Sequence, residues 1–356
     1  MFVIVKDMIT RSLHDVRDDV DTLLAKHLLS QQARADELHT DYGFLWQSLL
    51  DLHEAGGKRM RPYLFIAAYE ALGGSDYKGV LPIGAALELL HTALLIHDDV
   101  IDRDYVRRGA SNVAGTYQQR YAGLKASDVD KQHFSNSAAI LAGDLMISEA
   151  YQLIFASHLP AVQKIKAAQL LGETTYVVAG GELLDTEAVL YPPDAANSLQ
   201  IAELKTAFYS CVTPLVMGGV LAETDDATLA LLKDVGTNFG IAFQLVDDIA
   251  GVFGNPKQTG KATVGDLREG KRTYLLQRTL QLASVAQKKQ LKTIIGNPAA
   301  DKTMMRQARE IMVACGAKAE VEKSIKQYVE QAAQAVNKLP ISNESKNTLV
   351  TFIGQI

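Results

Sequence analysis

Leu94-Leu95-Ile96-His97-Asp98-Asp99-Val100-Ile101-Asp102 sets three carboxylates at the end of an apolar run. Ile241-Ala242-Phe243-Gln244-Leu245-Val246-Asp247-Asp248 repeats the arrangement 149 residues later. Around both, apolar residues recur at three- and four-residue spacing, the mark of amphipathic helices, and strand-like alternation is scarce. Asp98 and Asp102 are four residues apart and Asp99 and Asp102 three, which on a helix puts them on one face. Carboxylates rarely enter apolar surroundings without a partner. Two such clusters point to a shared hard cation, and magnesium is commonly held by one or two carboxylates together with substrate phosphates.

The pattern extends outward as helices near 8–29, 32–54, 60–72, 81–104, 138–156, 161–180, 199–222, 226–252, 273–294, 301–314, 317–337 and 343–353. Irregular connections are expected at 105–136, 186–198 and the glycine-rich 251–272. With no internal repeat and no dividing linker, residues 1–356 read as one all-α domain.

Composition narrows the function. The net charge of −5 offers no basic field for nucleic acid. Cys211 and Cys315 are too few for a disulfide framework and wrongly spaced for zinc, which suits a cytoplasmic setting. Met1-Phe2-Val3-Ile4-Val5 meets Lys6 and Asp7 too soon for a signal-peptide core. The apolar stretch from Ala138 to Phe155 carries Asp144 and Glu149, so no membrane span is expected.

Basic residues complement the acids. Gly56-Gly57-Lys58-Arg59-Met60-Arg61-Pro62 puts three cations at a helix start, with Lys58 and Arg61 on one face. Arg107-Arg108-Gly109 follows the first acidic cluster, and His91 lies two turns before Asp98. Lys205-Thr206 interrupts an apolar helix, and Lys261 and Lys271 fall in the glycine-rich stretch. Taken singly, an acidic helix end, a basic turn or a lone lysine is a solvated surface feature, and a lone histidine a core residue. Together they describe an anion site for a phosphorylated substrate handled through magnesium. No Ser or Cys has a general base nearby.

These segments, with Phe243-Gln244-Leu245-Val246-Asp247-Asp248-Ile249 and Asp266-Leu267-Arg268-Glu269-Gly270-Lys271-Arg272-Thr273, closely resemble the trans-polyprenyl diphosphate synthases, in order from about residue 55 to 275. The resemblance implies an isoprenoid synthase fold, a single bundle of long helices around a deep central cavity, and a homodimer. Two aspartate motifs would face each other and bind three magnesium ions with an allylic diphosphate. Asp98, Asp102 and Asp247 match the metal ligands, with Asp99 and Asp248 in support. Lys58, Arg61, His91 and Arg108 match the isopentenyl diphosphate pocket. Arg107, Lys205, Thr206, Gln244, Lys261 and Lys271 match contacts to the allylic diphosphate or its developing cation. The implied reaction joins the two substrates head to tail.

Three departures stand out. Gly251 replaces the third acid usual in the second motif, Glu182 stands where glutamine is common, and 119–136 is longer than usual. Short-chain members carry an aromatic floor four or five residues before the first aspartate. Here those positions are Leu94 and Ala93, with Leu90 and Leu87 deeper, and a product of at least twenty carbons is expected. A terpene cyclase would not need the Lys58, Arg61 and His91 pocket. A non-catalytic partner of another synthase would lack one aspartate motif, and a plain magnesium- or calcium-binding module would leave the cations without a role.

Overall fold

A computed structural model describes residues 8–107, 109–192, 197–254 and 265–356. Among these, the only strands are Val106–Arg107 and Ala110–Ser111, an antiparallel pair with Val106 opposite Ser111 and Arg107 opposite Ala110. Everything else regular is helical. The chain divides into two compact units, one holding Thr10–Glu70 and Gly74–Gln169, the other Leu170–Ile356 with short pieces from earlier in the chain.

In the first unit, helix Leu13–Leu38 opens with a capping box between Ser12 and Asp15. Val16, Val20, Leu24 and Leu28 repeat every fourth residue and are at most 1% exposed. Each such burial stabilises by about 1.5–3 kcal/mol. The break expected near residue 30 does not exist, because Ser30-Gln31-Gln32 contains neither proline nor glycine. The helix stops instead at His39, whose extended backbone (φ −169°) lets its ring cap the next helix, Thr40–Glu54. Met60–Ala71 follows, then Tyr77–Ile101, capped by Asp76. That helix starts earlier than expected and carries Pro82 inside it.

The stretch 105–136 is not irregular. It contains the hairpin, helix Val113–Arg120 and the first turns of Asp128–Ala156, capped by Ser127. Its apolar period is hidden because most of residues 128–134 are exposed. In the longer-than-usual segment, Phe134 packs edge-on against Tyr117 and Tyr121. Asp128–Ala156 lies along Tyr77–Ile101, with His97 over Gly143, where a Cβ would sit 2.1 Å from its Nε2.

In the second unit, Asp226–Phe253 packs on Ala317–Lys338 and on Ser198–Leu221. Residues Ala202–Val212 of the last helix are π-helical. The wider π coil meets glycines on its neighbours. A Cβ at Gly181 would lie 2.4 Å from the Lys205 amide nitrogen, one at Gly236 2.5 Å from the Val212 Cα, and one at Gly240 2.4 Å from the Ala207 Cα. Leu245, Leu275, Leu276, Leu291, Met305 and Met312 centre the core. The expected helix 273–294 is two, Tyr274–Leu282 and Val285–Leu291, because Ala283 is extended and Ser284 caps the second.

Three helices, Tyr77–Ile101, Asp128–Ala156 and Ser198–Leu221, are long and apolar enough to cross a membrane by composition. In each, half or more of the apolar window (67%, 50% and 61%) is buried inside the protein.

Candidate active site

The first acidic cluster sits on a strained helix end. Ile101 is the last helical residue and Asp102 caps it, its N–H donating to the Asp98 carbonyl at 2.8 Å. Arg103 then adopts the left-handed conformation at φ 61°. The N–H of Asp104 donates to the Asp99 carbonyl at 2.8 Å, and that of Arg103 to the Val100 carbonyl at 3.3 Å. These two bonds form a Schellman motif with arginine where glycine is usual. A non-glycine residue in this region costs on the order of 1–3 kcal/mol, and such strain tends to gather at functional sites.

The hairpin that follows returns Arg107 to the helix. Its Nε donates to Asp99 Oδ1 and Oδ2 at 2.9 and 3.1 Å, and its Nη2 to Oδ1 at 2.6 Å and to Asp98 Oδ2 at 3.4 Å. The Asp99 side chain is 4% exposed and that of Asp98 22%. Burial raises the Asp99 carboxyl above the usual carboxylate range despite Arg107. Within the pair, burial acts to lower the Arg107 pKa, but Asp99 outweighs it and the net direction is upward. Asp98 and Asp102, both half-buried, are the accessible carboxylates of the cluster, and His91 is half-buried on the same helix.

The basic turn behaves differently from its sequence appearance. Lys58 is exposed and Arg61 lies buried in the first turn of Met60–Ala71. Arg59 between them is 5% exposed and turned into the protein, where it binds Asp21, Glu88 and His53. Of the three cations, Arg59 and Arg61 are both buried and Lys58 is exposed, and Arg59 is the one braced by Asp21 and Glu88. Arg108 and Lys261 lie outside the described residues.

The second unit shows the same division between neighbouring acids. Asp247 is exposed and Asp248 is 5% exposed. Asp248 Oδ1 accepts from Gln244 Nε2 at 2.8 Å and Oδ2 from the Tyr274 N–H at 3.1 Å, at the start of helix Tyr274–Leu282. A carboxylate suits that position because the first amides of a helix are free and positively polarised. Thr206 Oγ1 donates to Gln244 Oε1 at 2.6 Å, so Thr206, Gln244 and Asp248 form one relay that fixes the Gln244 amide. Lys205 Nζ lies 2.8 Å from Glu182 Oε2 and 2.7 Å from Asp185 Oδ2. Lys271 pairs with Glu269 at 3.4 Å, and Gly251 lies within Asp226–Phe253. Sequence reasoning marked Glu182 as unusual but did not foresee its ion pair, and it missed Asp185, Glu88 and Asp21. Asp185 was visible as an acid three residues after Glu182.

Among the described residues no three His, Cys, Asp or Glu side chains gather closely enough to hold a metal by themselves. The donor set still fits magnesium, which takes oxygen ligands, retains water and relies on substrate phosphates for the rest. Asp98 and Asp102 in the first unit, and Asp247 in the second, each offer such oxygens. Asp99 and Asp248, expected in support, are the buried members and are engaged by protein partners.

Residues 44–312 match the model of the polyprenyl synthetase family. This chain belongs to that family. Like its members it is a trans-polyprenyl diphosphate synthase, an enzyme of the all-α isoprenoid synthase fold. It is 33% identical over 271 residues to geranylgeranyl diphosphate synthase of Sulfolobus acidocaldarius, covering 75% of this chain and 76% of that one. To geranylfarnesyl diphosphate synthase of Aeropyrum pernix it is 33% identical over 313 residues, covering 86% and 92%. The crystal structure of geranylgeranyl pyrophosphate synthase from Corynebacterium glutamicum, complexed with isoprenyl diphosphate and magnesium, superposes with a TM-score of 0.87 at 29% identity, over 99% and 98% of the two chains.

The four positions named for the chain-length wall differ in exposure. Ala93 is fully buried and Leu90 and Leu87 are 1% and 2% exposed, so these side chains are packed against protein. Leu94 keeps partial access. Of the four positions named from the sequence, it is the one that is not fully packed.

Proposed function

We propose that this synthase condenses isopentenyl diphosphate head to tail with an allylic diphosphate, giving an all-trans polyprenyl diphosphate of twenty or more carbons. The observation carrying the reading is the repeated acidic pair, one accessible carboxylate beside one buried and braced, at both Asp98-Asp99 and Asp247-Asp248. The sizes of the products named for the two archaeal relatives support the chain length.

Asp98, Asp102 and Asp247 hold the metal in this reading, and three magnesium ions with the allylic diphosphate are proposed. When bound, magnesium neutralises the charge of the departing diphosphate. Lys205 and Lys271, with Arg107 and Lys261, add positive charge on the same group. The Thr206 hydroxyl oxygen and the Gln244 carbonyl, oriented by their hydrogen bond, stabilise the allylic cation without attacking it. Lys58, Arg61, His91 and Arg108 grip isopentenyl diphosphate, whose double bond attacks the cation. The proton then lost goes to the released diphosphate, so no side-chain base is required.

A homodimer of cytoplasmic location, without a membrane span, completes the proposal. Apolar side chains left exposed on Asp128–Ala156 and just after it, including Leu141 (58%), Phe155 (53%) and Val162 (64%), favour a protein interface. Incubation with isopentenyl diphosphate and radiolabelled allylic primers tests the reaction. Magnesium-dependent chains of twenty or more carbons are expected, and cyclised hydrocarbon from one diphosphate, or no product, would reject it.

A further inference from the structure

The middle cation of Lys58-Arg59-Met60-Arg61 is held in place by the protein on every side. Arg59 Nε donates to Asp21 Oδ1 at 2.6 Å, Nη1 to Glu88 Oε1 at 2.9 Å, and Nη2 to the His53 carbonyl at 3.2 Å and to His53 Nδ1 at 3.1 Å. The side chain is 5% exposed and that of Glu88 4%. Glu88 Oε2 is buried without a hydrogen-bond partner among the described residues, so Arg59 supplies the charge that tolerates Glu88 there. Arg59 also has φ 49°, left-handed backbone that its anchors must hold against steric strain. Glu88 belongs to the Tyr77–Ile101 helix, three residues before His91 and ten before Asp98.

We infer that Arg59, locked on Glu88, is a positioning residue. It fixes the turn that presents Lys58 and Arg61 in register with the helix bearing His91 and the first aspartates. The inference rests on the isopentenyl diphosphate pocket proposed above. Its physical basis is the left-handed residue between the two gripping cations. Without the Glu88 and Asp21 anchors, residue 59 relaxes to ordinary backbone and the chain direction between Lys58 and Arg61 changes. Lysine cannot substitute, since one ammonium does not reproduce a fork that reaches three partners.

Steady-state kinetics and thermal unfolding of Arg59→Lys, Glu88→Gln and the double variant Arg59→Met/Glu88→Met test this. Arg59→Lys is expected to raise the KM for isopentenyl diphosphate about tenfold, the size of one lost charged contact, with kcat and the allylic KM little changed. Glu88→Gln, which keeps a hydrogen-bond acceptor, moves the same parameter less. In the double variant no fully buried charge is left alone, since the Asp21 side chain is 35% exposed and stays beside His53, so the Tm recovers, while the raised KM persists. Folded single variants with normal KM, or a double variant in which KM recovers with Tm, would overturn the inference. If the wild-type protein forms no prenyl product, the proposed reaction fails instead. Calorimetric binding of inorganic diphosphate to wild type and Arg59→Lys then still reports whether the turn is positioned by Arg59.

Discussion

Arg107 and Asp99 form a buried fork, three hydrogen bonds of 2.6–3.1 Å between a hairpin and the helix end that carries the first aspartates. The pair separates two kinds of acid in one motif. Removing Asp99 leaves Arg107 buried without its main countercharge, a change that costs about 3–5 kcal/mol. Asp99→Ala is expected to lower the Tm clearly. Asp98→Ala is expected to leave the Tm near wild type and reduce turnover by orders of magnitude. Differential scanning calorimetry beside a condensation assay checks both, and equal Tm losses in the two variants would contradict the division.

The second motif predicts a parallel result. Asp247→Ala should lower turnover most strongly at limiting magnesium, because the exposed acid supplies metal oxygens. Asp248→Ala should act through the protein, releasing the Gln244 amide and the first amide of helix Tyr274–Leu282. Its loss of rate should persist at saturating magnesium. A magnesium titration of kcat for both variants distinguishes them.

The two substrate contacts should separate kinetically. Lys58→Ala and Arg61→Ala are expected to raise the KM for isopentenyl diphosphate by roughly tenfold to a hundredfold, since each removes one charged contact of about 1.5–3 kcal/mol to a group that never leaves. Lys205→Ala should lower the single-turnover rate instead. An Arg61→Ala variant altered only toward the allylic substrate would reverse the assignment.

Product length tests which of these positions, Leu94 or Ala93, forms the wall. Leu94→Phe is expected to shorten the main product while the enzyme stays folded. Ala93→Phe forces a ring into a fully packed contact, at a cost of about 1–3 kcal/mol, and should lower the Tm without a clean shift in length. Mass spectrometry of products, with Tm for each variant, decides between the two positions.

Acid should weaken the basic turn. Burial, reinforced by Arg59, lowers the His53 pKa below the ordinary imidazole value near 6.5. Its Nδ1 faces the Arg59 guanidinium while Nε2 lies 3.3 Å from the Asp21 carbonyl. The unfolded chain therefore takes up the proton first, and the stability contributed by neutral His53 is full above about pH 6.5. It is lost as pH falls through the folded value. His53→Gln should show a shallower acid decline in Tm than wild type, and an unchanged slope would reject this role.

Much of the molecule was legible in the sequence because helix periodicity and the aspartate segments are local signals. Helices 317–337 and 343–353 match Ala317–Lys338 and Asn343–Ile353 closely, since apolar spacing and caps agree there. Other features depend on tertiary neighbours. Asp128–Ala156 begins ten residues early because its first turns are mostly exposed and show no period. Arg59 and Arg61 look alike in the chain and both are buried, and only the carboxylate of Glu88, 29 residues from Arg59, marks Arg59 as the one bound to it.

For anyone engineering heat resistance into this synthase, Gly180 and Gly181 pose opposite choices. Alanine inside a helix ordinarily gains about 0.5–1 kcal/mol over glycine. At Gly180 a methyl group would meet nothing within 4 Å, so the usual gain is open. At Gly181 the same methyl would strike the backbone at Lys205, and at Gly236 and Gly240 it would strike the same helix further along. Consensus-style glycine replacement would thus harden one position and, one residue later, wedge the helix that holds Lys205 and Thr206 away from its neighbour.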